Sequence, residues 1–372
     1  MKLLRVKAKH FKNCADDFMI DFMPRDAKTP EDKEYELQEI APDLYSFNTV
    51  AFIGKNASGK TTAIELLDCC YSILGDFRLT DKYYSLDGVE LEIIFFHDNY
   101  LYWYETTLTS GQTMNNQVCF NNEHIYQKKY YKSRIKEIYD KASYKEMTGL
   151  GALPEDTAKI FFVSKKKQTM AVFFDAYKGG SDTYQILFKA LKNYNIELDV
   201  LSKITGIFDE SIQEITRIDD NNYHVITESD DRIMSDAQLV YFLSSGTTKG
   251  LLLYTLMVAS LKNGFDLLID EIENHFHKTL VENMIGLYRD KAVNKKNASL
   301  IFTTHYCEIL DLMGRQDNIW ICSANSHVKL SNMSRDYSVE ASSLKSRQYY
   351  DNAFQTAVNY EKLMGLKKVL KQ

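Results

Sequence analysis

Residues 46–62 read S-F-N-T-V-A-F-I-G-K-N-A-S-G-K-T-T. The first eight form an apolar, β-branched run that predicts a strand over Ser46–Ile53, and Ala63–Leu74 carries the spacing of an amphipathic helix. Between them, Gly54–Thr61 matches G-x-x-x-x-G-K-[ST] at every fixed position. Small residues allow successive backbone N–H groups to curl around phosphate oxygens, and the helix start adds partial positive charge. The candidate phosphate-binding residues are therefore Gly54, Asn56, Ala57, Ser58, Gly59, Lys60, Thr61 and Thr62. Lys60 supplies a point charge to the terminal phosphates, and the Thr61 hydroxyl is a ligand for Mg²⁺. A plain glycine turn before a helix is the alternative, but it does not require strand, loop and helix to coincide.

Outward from this loop, composition narrows the class. The chain has 372 residues, 45% hydrophobic and 26% charged, with a formal net charge of −6. That balance describes a globular protein of one large domain or two modest ones. It excludes whole-chain disorder, a basic nucleic-acid coat and an acidic tail. The longest mostly apolar run, Leu251–Leu261, is shorter than the roughly 20 residues a membrane span needs, and the first residues lack a secretory pattern. A cytoplasmic protein without a membrane partner is expected. Six cysteines show neither dense pairing nor C-x-x-C spacing, so free thiols are expected, adjacent Cys69 and Cys70 included.

Residues 2–12 and Phe18–Met23 alternate as an opening hairpin. Pro24–Pro42, with three of the four prolines, reads as a loop without a core of its own. Val89–Leu108 holds two β-rich runs split by His97, Asp98 and Asn99, which predicts an antiparallel hairpin. Ala158–Val163 is read as a strand, Asp182–Lys203 as a helix, Ile212–Thr227 as strands and Leu251–Leu261 as a buried helix. The last third alternates strand and helix through Phe265–Ile269, His277–Asp290, Ser299–Thr303, Tyr306–Met313 and Ile319–Cys322, the rhythm of a parallel sheet with crossover helices.

That rhythm gives the acidic residues a meaning. Phe265–Ile269 is a buried strand ending in Asp270 and Glu271, and the carboxyl ends of parallel strands face the ligand crevice. Asp270 is the candidate metal ligand and Glu271 the candidate general base for an attacking water. His305 follows the strand S-L-I-F-T-T and emerges on the same edge, within reach of the γ-phosphate or that water. Leu243–Gly250 is a serine-rich helix start whose Ser244, Ser245 and Gly246 offer donors to an anion.

With G-K-N-A-S-G-K-T, L-S-S-G-T, L-L-I-D-E, I-E-N-H-F-H and T-T-H in this order, the chain resembles an ABC-class ATPase of the SMC and RecF type. Within that class it resembles the stand-alone heads of the overcoming-lysogenization-defect and abortive-infection families of bacterial anti-phage defence. The resemblance implies an α/β P-loop NTPase fold with an ABC-type head: a mixed parallel core sheet, an antiparallel β subdomain and a helical lobe carrying the signature motif. It implies one head over 1–372, with an N-terminal lobe (1–125), a helical or insert lobe ending in the signature (126–260), the Walker B and switch-histidine part (261–325) and a C-terminal extension (326–372). It also implies ATP and Mg²⁺ as ligands, and a homodimer or higher homo-oligomer in which ATP lies between the loop of one subunit and Ser244–Gly246 of its mate.

The opening K-H-F-K-N resembles the family segment that touches nucleotide, so Lys12 and Asn13 join the candidates, and Gln168 is the candidate lobe-joining glutamine at the metal. L-S-S-G-T lacks the second glycine and the glutamine of transporter signatures, and Phe276 with Lys278 departs from the family's L-H-P ending. Sixty-seven residues follow His305, too few for a metal nuclease of roughly a hundred, so a separate effector protein, a nuclease or toxin, is expected as partner. The alternative is a RecF-like DNA-binding ATPase in repair or recombination.

Tyr126–Tyr144 interleaves tyrosines with Lys128, Lys129, Lys132, Arg134 and Lys136. It reads as a solvated amphipathic helix with tyrosines packed inward, or as a DNA or RNA contact by stacking and charge. Lys165–Lys167 reads as a charged loop, and Arg78 is a candidate nucleotide contact. The C-terminal stretch from Val339 has helical spacing at Phe354, Val358, Leu363 and Leu366, suited to packing on the core or holding a partner.

Overall fold

A computed structural model describes residues 1–80, 84–110, 117–175, 182–194, 198–219, 221–274, 276–337, 344–354, 364, 369 and 370. The chain opens with β1 (Lys2–Lys9) and β2 (Phe18–Asp21), passes through α1 (Pro30–Tyr35), β3 (Leu37–Ala41) and β4 (Leu44–Phe47), and reaches β5 (Thr49–Ile53) and α2 (Lys60–Asp76). Next come β6 (Glu90–His97), β7 (Tyr100–Ser110), β8 (Val118–Lys129), β9 (Lys145–Glu146), the helical turn α3 (Phe161–Ser164) and β10 (Ala171–Asp175). Helices α4 (Asp182–Asn193) and α5 (Leu198–Phe208) precede β11 (Ile212–Arg217), β12 (Asn222–Thr227), β13 (Asp231–Ser235), α6 (Asp236–Phe242) and α7 (Ser245–Asn263). The chain then alternates through β14 (Asp266–Asp270), α8 (Lys278–Arg289), β15 (Leu300–Thr304), β16 (Ile319–Ala324) and β17 (Val328–Asn332).

Two six-stranded sheets organise these elements. The order β2-β1-β6-β7-β8-β9 is antiparallel throughout, and β10-β14-β15-β5-β16-β17 is parallel except for β17. Both faces of the parallel sheet are covered, which is why β5, β14 and β15 read as continuous apolar runs with every residue buried. Side chains alternate between two cores along each strand. Val50, Phe52, Leu268, Ile301 and Trp320 meet α2 and the antiparallel sheet in one core. Ala51, Ile53, Leu267, Ile269, Phe302 and Ile321 meet α7 and α8 in the other. Helix α2 is thus held between the sheets, with Ala63, Ile64, Leu66, Leu67, Ile73 and Leu74 all buried.

The opening hairpin, the hairpin turning at Asp98 and Asn99, the apolar helix and the alternation of the last third are present. Asp98 and Asn99 have φ of 48° and 64°, the left-handed pair of a tight two-residue turn. Elsewhere the structure differs from the sequence reading. The Pro24–Pro42 segment is anchored: Thr29 and Asp32 form a capping box before Pro30, Leu37 is fully buried, and Arg315 reaches Asp32 and Asp317 at 2.7 Å each. Ala158–Val163 is a tight turn leading into α3, because the amides of Phe161, Phe162 and Val163 bond three residues back while Ala158 and Ile160 plug the core.

Strand β8 runs through the expected lobe boundary at 125/126, so the start of the Tyr126–Tyr144 segment is strand rather than helix. Its side chains are engaged within the fold: Tyr139 donates to Asp21 at 2.7 Å, Tyr144 donates to the Ile138 carbonyl at 2.7 Å, and Lys141 meets Glu105 at 2.6 Å. The expected helix over Asp182–Lys203 lies within α4 and α5, with 195–197 outside the described residues. Strand β10 was not foreseen; its five residues give too short an apolar run to separate from a loop.

In the C-terminal stretch, Lys345–Tyr350 is helical and packs on the turn Cys307–Leu312, with Ser346 N–H donating to Asp311 at 3.0 Å and Phe354 fully buried. Val358, Leu363 and Leu366 lie outside the described residues. All six cysteines are free, and no helix of the described residues is long and apolar enough to cross a membrane.

Phe302→Ala, which empties a fully buried position of the central sheet, is expected to cost about 3–5 kcal/mol in urea denaturation. Ile233→Ala, at a position 67% exposed on β13, is expected to stay within about 0.5 kcal/mol of the parent.

Candidate functional site

The parallel register brings three chain turns to one edge. Thr304 is opposite Ile53, and Phe302 is opposite both Ala51 and Ile269, so β5, β14 and β15 end together. The loop after β5, the acids after β14 and the histidine after β15 surround a cleft of about 290 Å³ lined by Asn56 to Thr62, Glu271, His305 and Val328.

The loop is shaped by backbone as much as by side chains. Gly59 caps α2 with φ of 95°, and a Cβ there would lie 2.2 Å from Val328 Cγ1 on β17. A Cβ on Gly54 would meet Ser58 Oγ at 2.4 Å and the Cys322 carbonyl at 2.5 Å. The first amides of α2 have no carbonyl partner within the helix. Ser58 Oγ is buried without a hydrogen-bond partner among the described residues.

Lys60 Nζ donates to the carbonyls of Gly54 at 3.1 Å and Lys55 at 3.2 Å and lies 3.3 Å from His305 Nδ1. An ammonium has three protons, so each has an acceptor inside the protein. Burial pushes the Lys60 ammonium down from its ordinary range, against the pull of Glu271, Asp270 and Glu273. Thr61 Oγ1 donates to Asp270 Oδ2 at 2.7 Å, and His305 Nε2 lies 3.1 Å from Glu271 Oε1. The tautomer satisfying both histidine contacts carries its proton on Nε2, with Nδ1 accepting from Lys60 and Nε2 donating to Glu271. Glu271 also pairs with Asn274.

Ser244, Ser245 and Gly246 stand elsewhere. Ser244 Oγ caps α7 by accepting from Thr247 N–H at 3.0 Å, and all three residues are exposed. Helix α7 returns through the Gly264 cap into β14, and Ser244–Gly246 at its start are not among the residues that line the cleft.

Lys12 pairs with Glu65 on α2 and lies 4.0 Å from the Tyr84 ring centroid; Asn13 donates to the Ser326 carbonyl at 3.1 Å, and its own carbonyl accepts from Val328 at 2.7 Å. Both flank the loop through Val328 and α2 without lining the cleft.

Gln168 is a correction. Its amide bonds to Gly75 O at 3.1 Å, fifteen residues along α2 from Lys60 or about 22 Å, at the opposite sheet edge from Asp270. The residue beside Asp270 in register is Asp175 at the end of β10, flagged in the sequence only by a short apolar run stopping at an acid. Arg78 likewise lies past the far end of α2, 3.6 Å from Asp156. Sequence reasoning also passed over Glu273, 7% exposed, whose Oε1 accepts the His305 amide at 2.6 Å.

No family model and no curated protein matches the chain. Among solved structures the chain is similar to "SMC head domain from Thermotoga maritima", with 14% identity over 89% of this chain and 99% of that chain and a TM-score of 0.40. No residue here takes its role from that likeness.

Lys60→Ala removes a charge-assisted donor from the loop; if the loop cradles phosphates as its glycine–lysine spacing predicts, ATP binding is expected to weaken by about 10- to 100-fold, read by calorimetry, with an unchanged circular dichroism spectrum.

Proposed function

We propose that this chain binds and hydrolyses ATP with Mg²⁺ and works as an ATP-gated homodimer. The observation that carries the reading is the convergence of Lys60, Thr61, Glu271 and His305 on one cleft at the start of α2, with Asp270 bonded to Thr61. Thr61 and Asp270 are the residues to hold Mg²⁺, since two oxygens already 2.7 Å apart suit an oxygen-loving cation. The cation, when bound, neutralises charge on the phosphates.

The chain's own groups supply the remainder. Lys60 exchanges one of its three internal acceptors for a phosphate oxygen; His305 Nδ1, at 3.3 Å, is the longest of those contacts. Glu271 accepts the proton of the attacking water, and His305, bonded to Glu271, orients that carboxylate. The α7 terminus, exposed and not among the residues lining its own subunit's cleft, supports a head-to-tail pairing in which Ser244–Gly246 of one subunit meet the triphosphate of the other. Such a contact exists only while the γ-phosphate does, so closure precedes hydrolysis and is lost after it.

The role we propose for this switch is the ATPase component of a bacterial anti-phage system that controls a separate effector. Its support is the motif order and the L-S-S-G-T signature, which lacks the transporter glutamine. In the RecF-like alternative, the purified chain alone binds duplex DNA in an ATP-dependent manner. The internal pairing of Lys128 with Ser143, of Lys132 with Asp43 and of Lys141 with Glu105 weighs against the Tyr126–Tyr144 segment as its contact.

Glu271→Gln is expected to keep ATP binding, to lower turnover by about 100-fold or more, and to elute as a dimer with MgATP in light-scattering chromatography. Adding Ser244→Arg is expected to return it to monomer. Parental turnover in Glu271→Gln, or an unchanged dimer in the double variant, contradicts the proposal.

A further inference from the structure

Thr303, the penultimate residue of β15, is fully buried and makes three polar contacts with the acidic turn. Its Oγ1 donates to Asp270 Oδ1 at 2.6 Å and accepts the Glu271 amide at 2.7 Å, and its carbonyl accepts the Ile272 amide at 3.0 Å. The next residue, Thr304, is equally buried, yet its hydroxyl serves a local turn by accepting the Tyr306 amide at 3.0 Å. Burial at a strand end therefore does not by itself bring a hydroxyl to the acids.

We propose that Thr303 is a positioning residue that sets the metal ligand and the general base with one side chain; this rests on the reading of Asp270 and Glu271 given above. A hydroxyl has one proton and two lone pairs. The proton goes to Asp270 Oδ1, which fixes the carboxylate plane and leaves Oδ2 turned to Thr61 Oγ1 at 2.7 Å. A lone pair takes the Glu271 amide, where the chain leaves β14 with φ of 52°, a left-handed conformation that a glutamate seldom adopts. The carbonyl holds Ile272 on the far side of that turn. The turn aims the Glu271 carboxylate at His305 rather than along the strand. Metal affinity and base position are thus coupled through one oxygen, as outer-shell hydroxyls and carboxylates couple them in other metal sites.

The experiment compares the full-length parent, Thr303→Val, which keeps shape without the hydroxyl, and Thr303→Ser, which keeps the hydroxyl without the methyl. Binding of ATP is measured by calorimetry in EDTA and across a Mg²⁺ titration, and kcat and KM are measured across the same Mg²⁺ range. For Thr303→Val the expected result is unchanged ATP affinity in EDTA, a Mg²⁺ half-saturation raised by about 10- to 100-fold, and a lowered kcat even at saturating Mg²⁺. Thr303→Ser is expected to stay within about threefold of the parent in both. If Thr303→Val does not fold, Thr303→Ala takes its place.

A hydroxyl-free variant with parental Mg²⁺ dependence and kcat overturns the proposal. So does equal impairment of Thr303→Ser and Thr303→Val, which assigns the effect to methyl packing. A parent that neither binds nor hydrolyses ATP instead defeats the ATPase reading itself, and is distinguished by the Lys60→Ala comparison.

Discussion

The hydrogen-bonded position of β15 between β14 and β5 is the constraint on which the site depends. Parallel strands share a direction, so whatever follows each of them emerges at one edge. The ladder places Thr304 against Ile53 and Phe302 against Ile269, and no loop length in between has to be tuned to bring Lys60, Asp270 and His305 together. A slip of one residue would send every apolar side chain of a strand into the opposite core. Because those cores are differently built, with α2 and the antiparallel sheet on one side and α7 and α8 on the other, the register is held by packing. The site inherits its precision from that register.

Energetically the cleft is an expensive place. Lys60 is 5% exposed, Asp270 5% and Glu273 7%, so three ionisable groups are desolvated within one edge of a sheet. Opposite charges and hydrogen bonds from Thr61, Thr303 and the His305 amide offset that cost. Two residues of the cleft, Ala57 at φ 58° and Glu271 at 52°, hold left-handed backbone without being glycine. Such conformations persist where surrounding contacts over-determine them, and at Glu271 those contacts come from Thr303. Cys322, buried beneath the loop with its carbonyl against Gly54, has its thiol pushed up by burial to about 12 and so remains a neutral packing group.

Charge and aromatic content alone are poor guides to this chain's surface. Tyr126–Tyr144 has the composition of a nucleic-acid contact, yet Lys128, Tyr139 and Lys141 fasten the segment to the antiparallel sheet, Tyr144 bonds back to Ile138, and Lys132 pairs with Asp43 in the turn between β3 and β4. The α7 start, by contrast, is exposed, and its serines and glycine carry no charge at all.

The loop between β5 and α2, the apolar strands, the acid pair and the histidine were legible in the sequence as structural elements, because each is a local pattern: a fixed glycine–lysine spacing, a continuous apolar run, a carboxylate where that run stops. Partnership between distant segments was not. Thr303 and Glu273 look like ordinary strand and loop residues until β15 is laid beside β14, and Gln168 looked eligible until its amide was found on Gly75. Local periodicity reports which face of an element is buried. Which oxygen meets which carboxylate is decided by sheet order and register, and those arise only when both cores close around the parallel strands.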